Sequence, residues 1–290
     1  MRRLEFLIND SRVSSNNTDT NRFSVNEFVK YMNDAQERLQ SLIYQHYPDG
    51  KNFSKDGNIS IVANQESYDL PSDIFLDNSV YKAELNLGSN VYQPLKRLDL
   101  AERDTVFGYI ILDKKILISP IQKVSITNGL RVNYAKKLPR LDVRRGTITS
   151  FSSGVSVTVS NYTGLLVTDN MDDYFSIVGR DGTIKASGLN LNSFAAGVIS
   201  TDSTFSGIAN GDYVVLGANS TTNSQLADSC ERYLTEYCNF RFSIRDTNID
   251  TQALSPLLQS IESELISLYK NNIGDPVYPP ITNYDYFYDN

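Results

Sequence analysis

Phe23-Ser24-Val25-Asn26-Glu27-Phe28 marks the start of a helix that runs to about Tyr47, and much of the chain is needed to cover it. Ser24 is placed to cap the free backbone amides, and Glu27, three residues on, to complete a capping box. Phe23 and Phe28 occupy the two positions of a hydrophobic staple. Val25, Phe28, Val29, Met32, Ala35, Leu39, Leu42 and Ile43 recur at helical spacing on one face. Lys30, Asn33, Asp34, Glu37, Arg38 and Gln40 fill the other, and His46-Tyr47-Pro48-Asp49-Gly50 ends the pattern. Such a stripe needs partner helices, and they stand at the far end of the chain. Leu226, Cys230, Tyr233, Leu234, Tyr237, Cys238 and Arg241 line a helix from about 224 to 245. Leu254, Leu257, Leu258, Ile261, Leu265 and Leu268 mark a second, which Pro256 is placed to open after Ser255, an opening that would make 250–254 a separate turn. The expected bundle core is Phe23, Phe28, Met32, Leu39, Leu42, Leu234, Tyr237, Leu258, Ile261 and Leu265.

Between the ends the period changes from 3.6 to 2. Alternation at Ile59 and Ile61, strands at 80–85 and 91–95, a hairpin over 109–119 and a strand at 130–134 define a sheet domain over 58–142. Residues 143–220 are richer in Ser, Thr, Gly and Asn. Short strands at 155–159, 174–178, 183–186, 197–200 and 212–216 mark a small barrel or sandwich inserted into the chain. The expected fold is therefore α+β. Residues 1–57 and 221–272 form a discontinuous bundle, the two β units lie between them, and 273–290 is an extended tail.

Composition narrows the function. No apolar run approaches the ~18 residues a bilayer requires, so no membrane span is expected. The first ten residues do not read as a signal peptide, which places synthesis and folding in a cytoplasm. The 290 residues carry a net charge of −7, unevenly spread. Residues 82–145 hold 13 Lys and Arg against 6 Asp and Glu, a local +7 that leaves −14 for the remainder. The basic segment is either a charged subunit interface or a solvated sheet face. Cys230 and Cys238 are eight residues apart on a helix, ~12 Å of rise, too far for a disulfide. With one histidine in the chain, no Cys/His metal site is expected.

The usual nucleotide, zinc-protease, hydrolase and calcium motifs are missing from the sequence, and neither cofactor nor enzymatic activity is expected. Asp172-Asp173 reads as a solvated turn and His46 as a cation at a helix end. The tail says more. Tyr278, Tyr284, Tyr286, Phe287 and Tyr288 fall within the last 13 residues, the last four of them after the Pro279-Pro280 break. Such a segment either stays disordered or lies along another surface with its tyrosines as anchors.

The order of these elements resembles the head-to-tail adaptor, or connector ring, proteins of tailed bacteriophages. The resemblance rests on the Phe23–Phe28 helix with Met32-Asn33-Asp34-Ala35-Gln36, on Tyr68-Asp69-Leu70-Pro71-Ser72-Asp73, and on Ile116-Leu117-Ile118-Ser119-Pro120. The strand Arg131-Val132-Asn133-Tyr134 and the two C-terminal helices complete it. It covers about 1–141 and 224–270; residues 143–220 depart from it. It implies a virion protein at the portal vertex, assembled in the host cytoplasm as a ring, twelvefold by that likeness. The ring docks on the portal, meets downstream tail, nozzle or fibre proteins, and passes duplex DNA without binding it specifically. Tyr284, Tyr286, Phe287 and Tyr288 are the expected portal anchors. The alternative is a carbohydrate- or cell-surface-binding tail component acting through 143–220.

Overall fold

The computed structural model describes residues 3–14, 23–47, 53–88, 91–103, 106–152, 154–162, 174–245 and 251–271. Its architecture is mixed α+β. Four helices, α1 (Leu4–Ser14), α2 (Val25–His46), α3 (Glu231–Arg245) and α4 (Thr251–Asn271), come from the two ends of the chain, and β units lie between them.

The capping box at α2 is complete: Glu27 N–H donates to Ser24 Oγ at 3.3 Å, and Ser24 N–H donates to Glu27 Oε2 at 2.9 Å. Arg245, in the last turn of α3, pairs with the same Glu27, so the antiparallel neighbour locks the cap. The expected staple is a cluster of more than two rings. Phe242 of α3 receives Phe23 at 4.2 Å, Phe28 at 4.5 Å and Tyr31 at 5.0 Å. Phe242 is 1% exposed, and truncating it to alanine costs about 3–5 kcal/mol.

Phe23, Phe28, Met32, Leu39, Leu234, Leu258, Ile261 and Leu265 lie in one buried cluster with Leu4, Leu7 and Ile8 of α1. Leu42 is half-buried at the margin of the α2 stripe, Tyr237 packs half-buried on the rim beside Tyr233, and Val25 is exposed in the first turn. Arg38 of α2 pairs with Glu262 of α4 at 2.7 Å, and the Tyr233 hydroxyl donates to the same carboxylate at 2.7 Å. Pro256 does not open α4 but sits inside it. Its missing N–H removes a ladder bond near the start of the helix. Leu258, Ile261, Leu265 and Tyr269 then supply the burial that keeps the helix formed. α3 begins at Glu231, later than the spacing suggests, after a 3-10 turn at Asp228–Cys230. Both cysteines are buried free thiols, and burial pushes each thiol's pKa up.

The first β unit is a sandwich of two four-stranded sheets. Its strands are β1 (Ser54–Ile61), β2 (Ser67–Asp69), β3 (Val80–Asn86), β4 (Tyr92–Pro94), β5 (Lys96–Arg97), β6 (Gly108–Leu112), β7 (Lys115–Ser119) and β8 (Ile126–Ala135). They pair in the orders β1-β8-β3-β4 and β2-β7-β6-β5. Tyr68, Leu85, Ile116, Ile118, Leu130 and Val132 are among the residues buried between the sheets. On one flank the sheets are joined by Leu95, the residue between β4 and β5; on the other, β1 and β2 are free edges. β1 starts four residues before the expected boundary because Ser54-Lys55-Asp56-Gly57 is a polar edge without apolar alternation.

After β9 (Arg140–Leu141) comes the second unit: β10 (Gly146–Ser152), β11 (Ser156–Ser160), β12 (Tyr174–Val178), β13 (Ile184–Asn190), β14 (Ser193–Ala195), β15 (Val198–Ser200) and β16 (Tyr213–Leu216). The seven pair in the order β13-β12-β16-β10-β11-β15-β14. The two ends of that order are separated in the chain only by Leu191 and Asn192, so the sheet must roll until its ends meet. Asn190 pairs with Tyr174 of β12, and Asn192 N–H donates to Ser200 O of β15 at 3.1 Å. The unit is a small barrel filled by Ile148, Val157, Phe175, Ile177, Ile199 and Val214. The chain leaves it through β17 (Ser220–Thr221), which pairs in parallel with β9.

Candidate assembly interface

The segment between the two β units lies along α2, held by a row of amides on that helix. Asn33 Nδ2 donates to Leu141 O at 2.8 Å while Leu141 N–H donates to Asn33 Oδ1 at 2.7 Å, so one side chain imitates a strand partner. Gln36 Nε2 donates to Pro139 O at 2.9 Å, and its Oε1 accepts Ser224 Oγ–H at 2.8 Å. Gln40 Nε2 donates to Lys136 O at 2.7 Å, and its Oε1 accepts Leu138 N–H. Asn33 and Gln40 therefore do not simply face solvent, as the helical pattern suggests. With Gln36 they satisfy the backbone of a segment that belongs to no sheet on that side.

The barrel is anchored by a buried charge pair. Arg145 (8% exposed) donates to Asp142 (3% exposed) at 2.6–3.1 Å. It also donates to Asn26 Oδ1 in the first turn of α2 at 2.9 Å. Asp142 accepts Leu216 N–H from the barrel at 2.8 Å. Leu4 N–H donates to Thr222 O at 2.8 Å, which adds the start of α1 to the junction. The Arg3 and Arg144 guanidiniums both lie over the Tyr213 ring, 5.7 and 5.5 Å from its centroid. Gly182 (φ +86°) closes the approach: a Cβ there would stand 2.7 Å from the Asn223 side chain.

The sandwich is held more lightly. Phe75 meets Tyr44 edge-on at 5.9 Å, and Phe53 lies 6.2 Å from Tyr269 at the end of α4. Beside these contacts runs an open groove of about 630 Å³ between α2 and the sandwich, lined among others by Lys30, Asp34, Glu37, Asp73, Lys137 and Arg140. Asp73 binds Lys55 Nζ and the Tyr134 hydroxyl, both at 2.6 Å. Burial works against its charge, but these two donors outweigh it and hold the carboxyl below its usual range.

The basic segment is largely paired. Lys96 meets Glu102, Arg103 meets Glu66, Arg131 meets Glu84, and Lys137 and Arg144 reach Glu37 and Glu5 outside the segment. His46 Nδ1 lies 2.9 Å from Leu42 O, at the helix end where a cation was expected. Among the described residues no three His, Cys, Asp or Glu side chains are grouped to hold a metal, and no helix is long and apolar enough to cross a membrane. Asp172-Asp173 and the tail residues Tyr284, Tyr286, Phe287 and Tyr288 lie outside the described residues.

The chain is a capped helical frame that presents two β units on hydrogen-bonded connections. The family description "SU10 adaptor protein" matches residues 1–153, more than half of the chain, and the protein belongs to that family of phage adaptor-type structural proteins. The match takes in α1, α2, the sandwich and the first strand of the barrel; α3 and α4 lie beyond it. No curated protein matches the chain.

Proposed function

We propose that the protein is a subunit of the head-to-tail connector of a tailed phage. In this reading, copies assemble into a ring, twelvefold by the likeness to connector proteins, that docks on the portal and prolongs the DNA channel toward the tail. The observation that carries it is the family match across α1, α2 and the sandwich. The charge distribution supports it, because an acidic lumen lets duplex DNA pass without sticking. Tyr284, Tyr286, Phe287 and Tyr288 are the anchors on the portal. The test is light scattering of the purified protein with and without the portal of the same virus. About one copy per portal subunit is expected, lost when the chain is cut after Gly274. No association at any salt concentration overturns portal docking.

A second reading assigns glycan binding to the barrel. It rests on Tyr162, 47% exposed and edge-on to Phe194 at 4.8 Å, with Phe151 and Tyr174 also exposed on that unit. Glycan-array binding that disappears in Tyr162→Ala would favour it over a purely structural barrel.

A further inference from the structure

A sheet that ends in a long, regular, uncovered strand is a template for another strand. β1 is the longest edge strand among the described residues, eight residues with no strand on its outer side. Its register with β8 is regular from Ser54 to Ile59. Lys136 N–H donates to Phe53 O at 2.9 Å. Antiparallel alternation then directs Lys55, Gly57 and Ile59 at β8 and turns the N–H and C=O of Asp56 and Asn58 outward. The rival edge, β13, has seven residues but two register shifts, and its Gly188 N–H is already donated to Ala218 O at 2.7 Å. The other sandwich edges, β2, β4 and β5, are only two or three residues long.

The occupant follows from where the chain goes next. α4 ends at Asn271, two residues past Tyr269, whose ring lies 6.2 Å from Phe53, the residue before β1. Nineteen residues follow, so the tail departs beside the start of the open edge. Pro276, Pro279 and Pro280 disfavour a ladder in its first half. Beyond them Ile281-Thr282-Asn283-Tyr284-Asp285-Tyr286-Phe287-Tyr288 is rich in residues that favour strands. With a period of two, Tyr284, Tyr286 and Tyr288 fall on one face and Asp285 and Phe287 on the other. The nine residues 272–280 span up to ~30 Å when extended, about the length of β1 itself.

We propose that in the free protein Ile281–Tyr288 adds as a further strand to the outer edge of β1 of its own chain. Main-chain hydrogen bonds to the outward groups of Asp56 and Asn58 hold it, with the tyrosines lying over the sandwich. The short tether gives the tail an effective concentration in the millimolar range, so even weak strand pairing keeps it docked. The inference stands apart from the connector reading, since it concerns the chain before any partner is met. If both hold, a portal must draw the tail off β1 in order to bind it.

Hydrogen exchange on the full chain tests this against a variant ending at Asn272 and against Asn58→Pro, which removes an outward donor and leaves the β1–β8 bonds in place. Truncation should speed exchange at Asp56 and Asn58 by ~tenfold or more, with β8 unchanged. Asn58→Pro should strip protection from 281–288. Equal exchange at β1 with and without the tail overturns the proposal. In a separate variant, Asp56→Cys with Tyr286→Cys should oxidise to a disulfide at monomer mass, the native cysteines being buried. A disulfide-linked dimer overturns docking within one chain and assigns the strand to a second copy.

Discussion

The two β units treat the ends of a sheet in opposite ways. The barrel passes Ile184–Ala195 from β12 to β15 and so brings the two ends of its sheet together. The sandwich joins its sheets along one flank through Leu95 and leaves β1 open on the other. Their attachments differ in the same sense. The barrel is held by a buried ion pair, a tyrosine under two arginines and contacts from α1 and α2; the sandwich meets the helices through aromatic contacts and through Gln40 on the segment that leaves β8, beside an open polar groove. A unit that closes on itself offers little for another strand to pair with, whereas one with a long free edge offers a template.

The sharpest way to break this contrast is Asp142→Ala. It leaves the Arg145 guanidinium buried without its carboxylate and should cost about 3–5 kcal/mol in urea unfolding. Small-angle scattering should show the barrel released from the frame. Replacing the pair together, Asp142→Leu with Arg145→Met, removes the stranded charge and should recover most of the loss; failure to do so would mean that the pair's own hydrogen bonds to Leu216 N–H and Asn26 are what fix the barrel.

Gln40→Ala comes next. It leaves Leu138 N–H and Lys136 C=O without their side-chain partner and should cost about 1–3 kcal/mol. Exchange should quicken at 136–138 rather than within the barrel, and equal loosening of both units would erase the distinction.

Lys55→Ala should have the smallest effect, about 0.2–1 kcal/mol, because that pair is partly exposed. Acid reads the same contact. The folded Asp73 carboxyl sits below its usual range, so its contribution is complete above the unfolded value of 3.8 and is lost as pH falls through the lower folded value. Below about pH 4 the wild type should therefore lose this increment. Lys55→Ala, which has less of it to lose, should show a flatter acid limb in thermal unfolding.

The bundle was legible because its signals are local. Ser24 and Glu27 are three residues apart, and the stripe of Phe28, Met32, Leu39 and Ile43 repeats with the turn of the helix. Less legible were features set by distant chain. Gln36 and Gln40 look like surface amides until residues 136–141 are laid across them. Pro256 reads as a helix start because the packing of Leu258, Ile261 and Leu265 that carries α4 through it is tertiary. β10 escapes an alternation search because a register shift between Ile148 and Ser150 breaks its period. The two-residue pair β9–β17 has no sequence signature at all, although it is the neck of the barrel. As for the candidate site, its tyrosines stood out by composition, whereas the open edge beside them had no apolar alternation to announce it.

That neck has a consequence for how such a chain is built. Arg140 and Ser220 lie side by side in register, so the path out to the barrel and back begins and ends at almost the same point. The scaffold therefore closes whether the excursion is long or short, and the family match stops at residue 153, shortly after the excursion begins. A unit joined to the frame through such a neck should be exchangeable for a domain whose termini are neighbours, and splicing a fluorescent or affinity module between 141 and 220, so that Asp142 and Arg145 leave together, should keep the thermal unfolding of the frame.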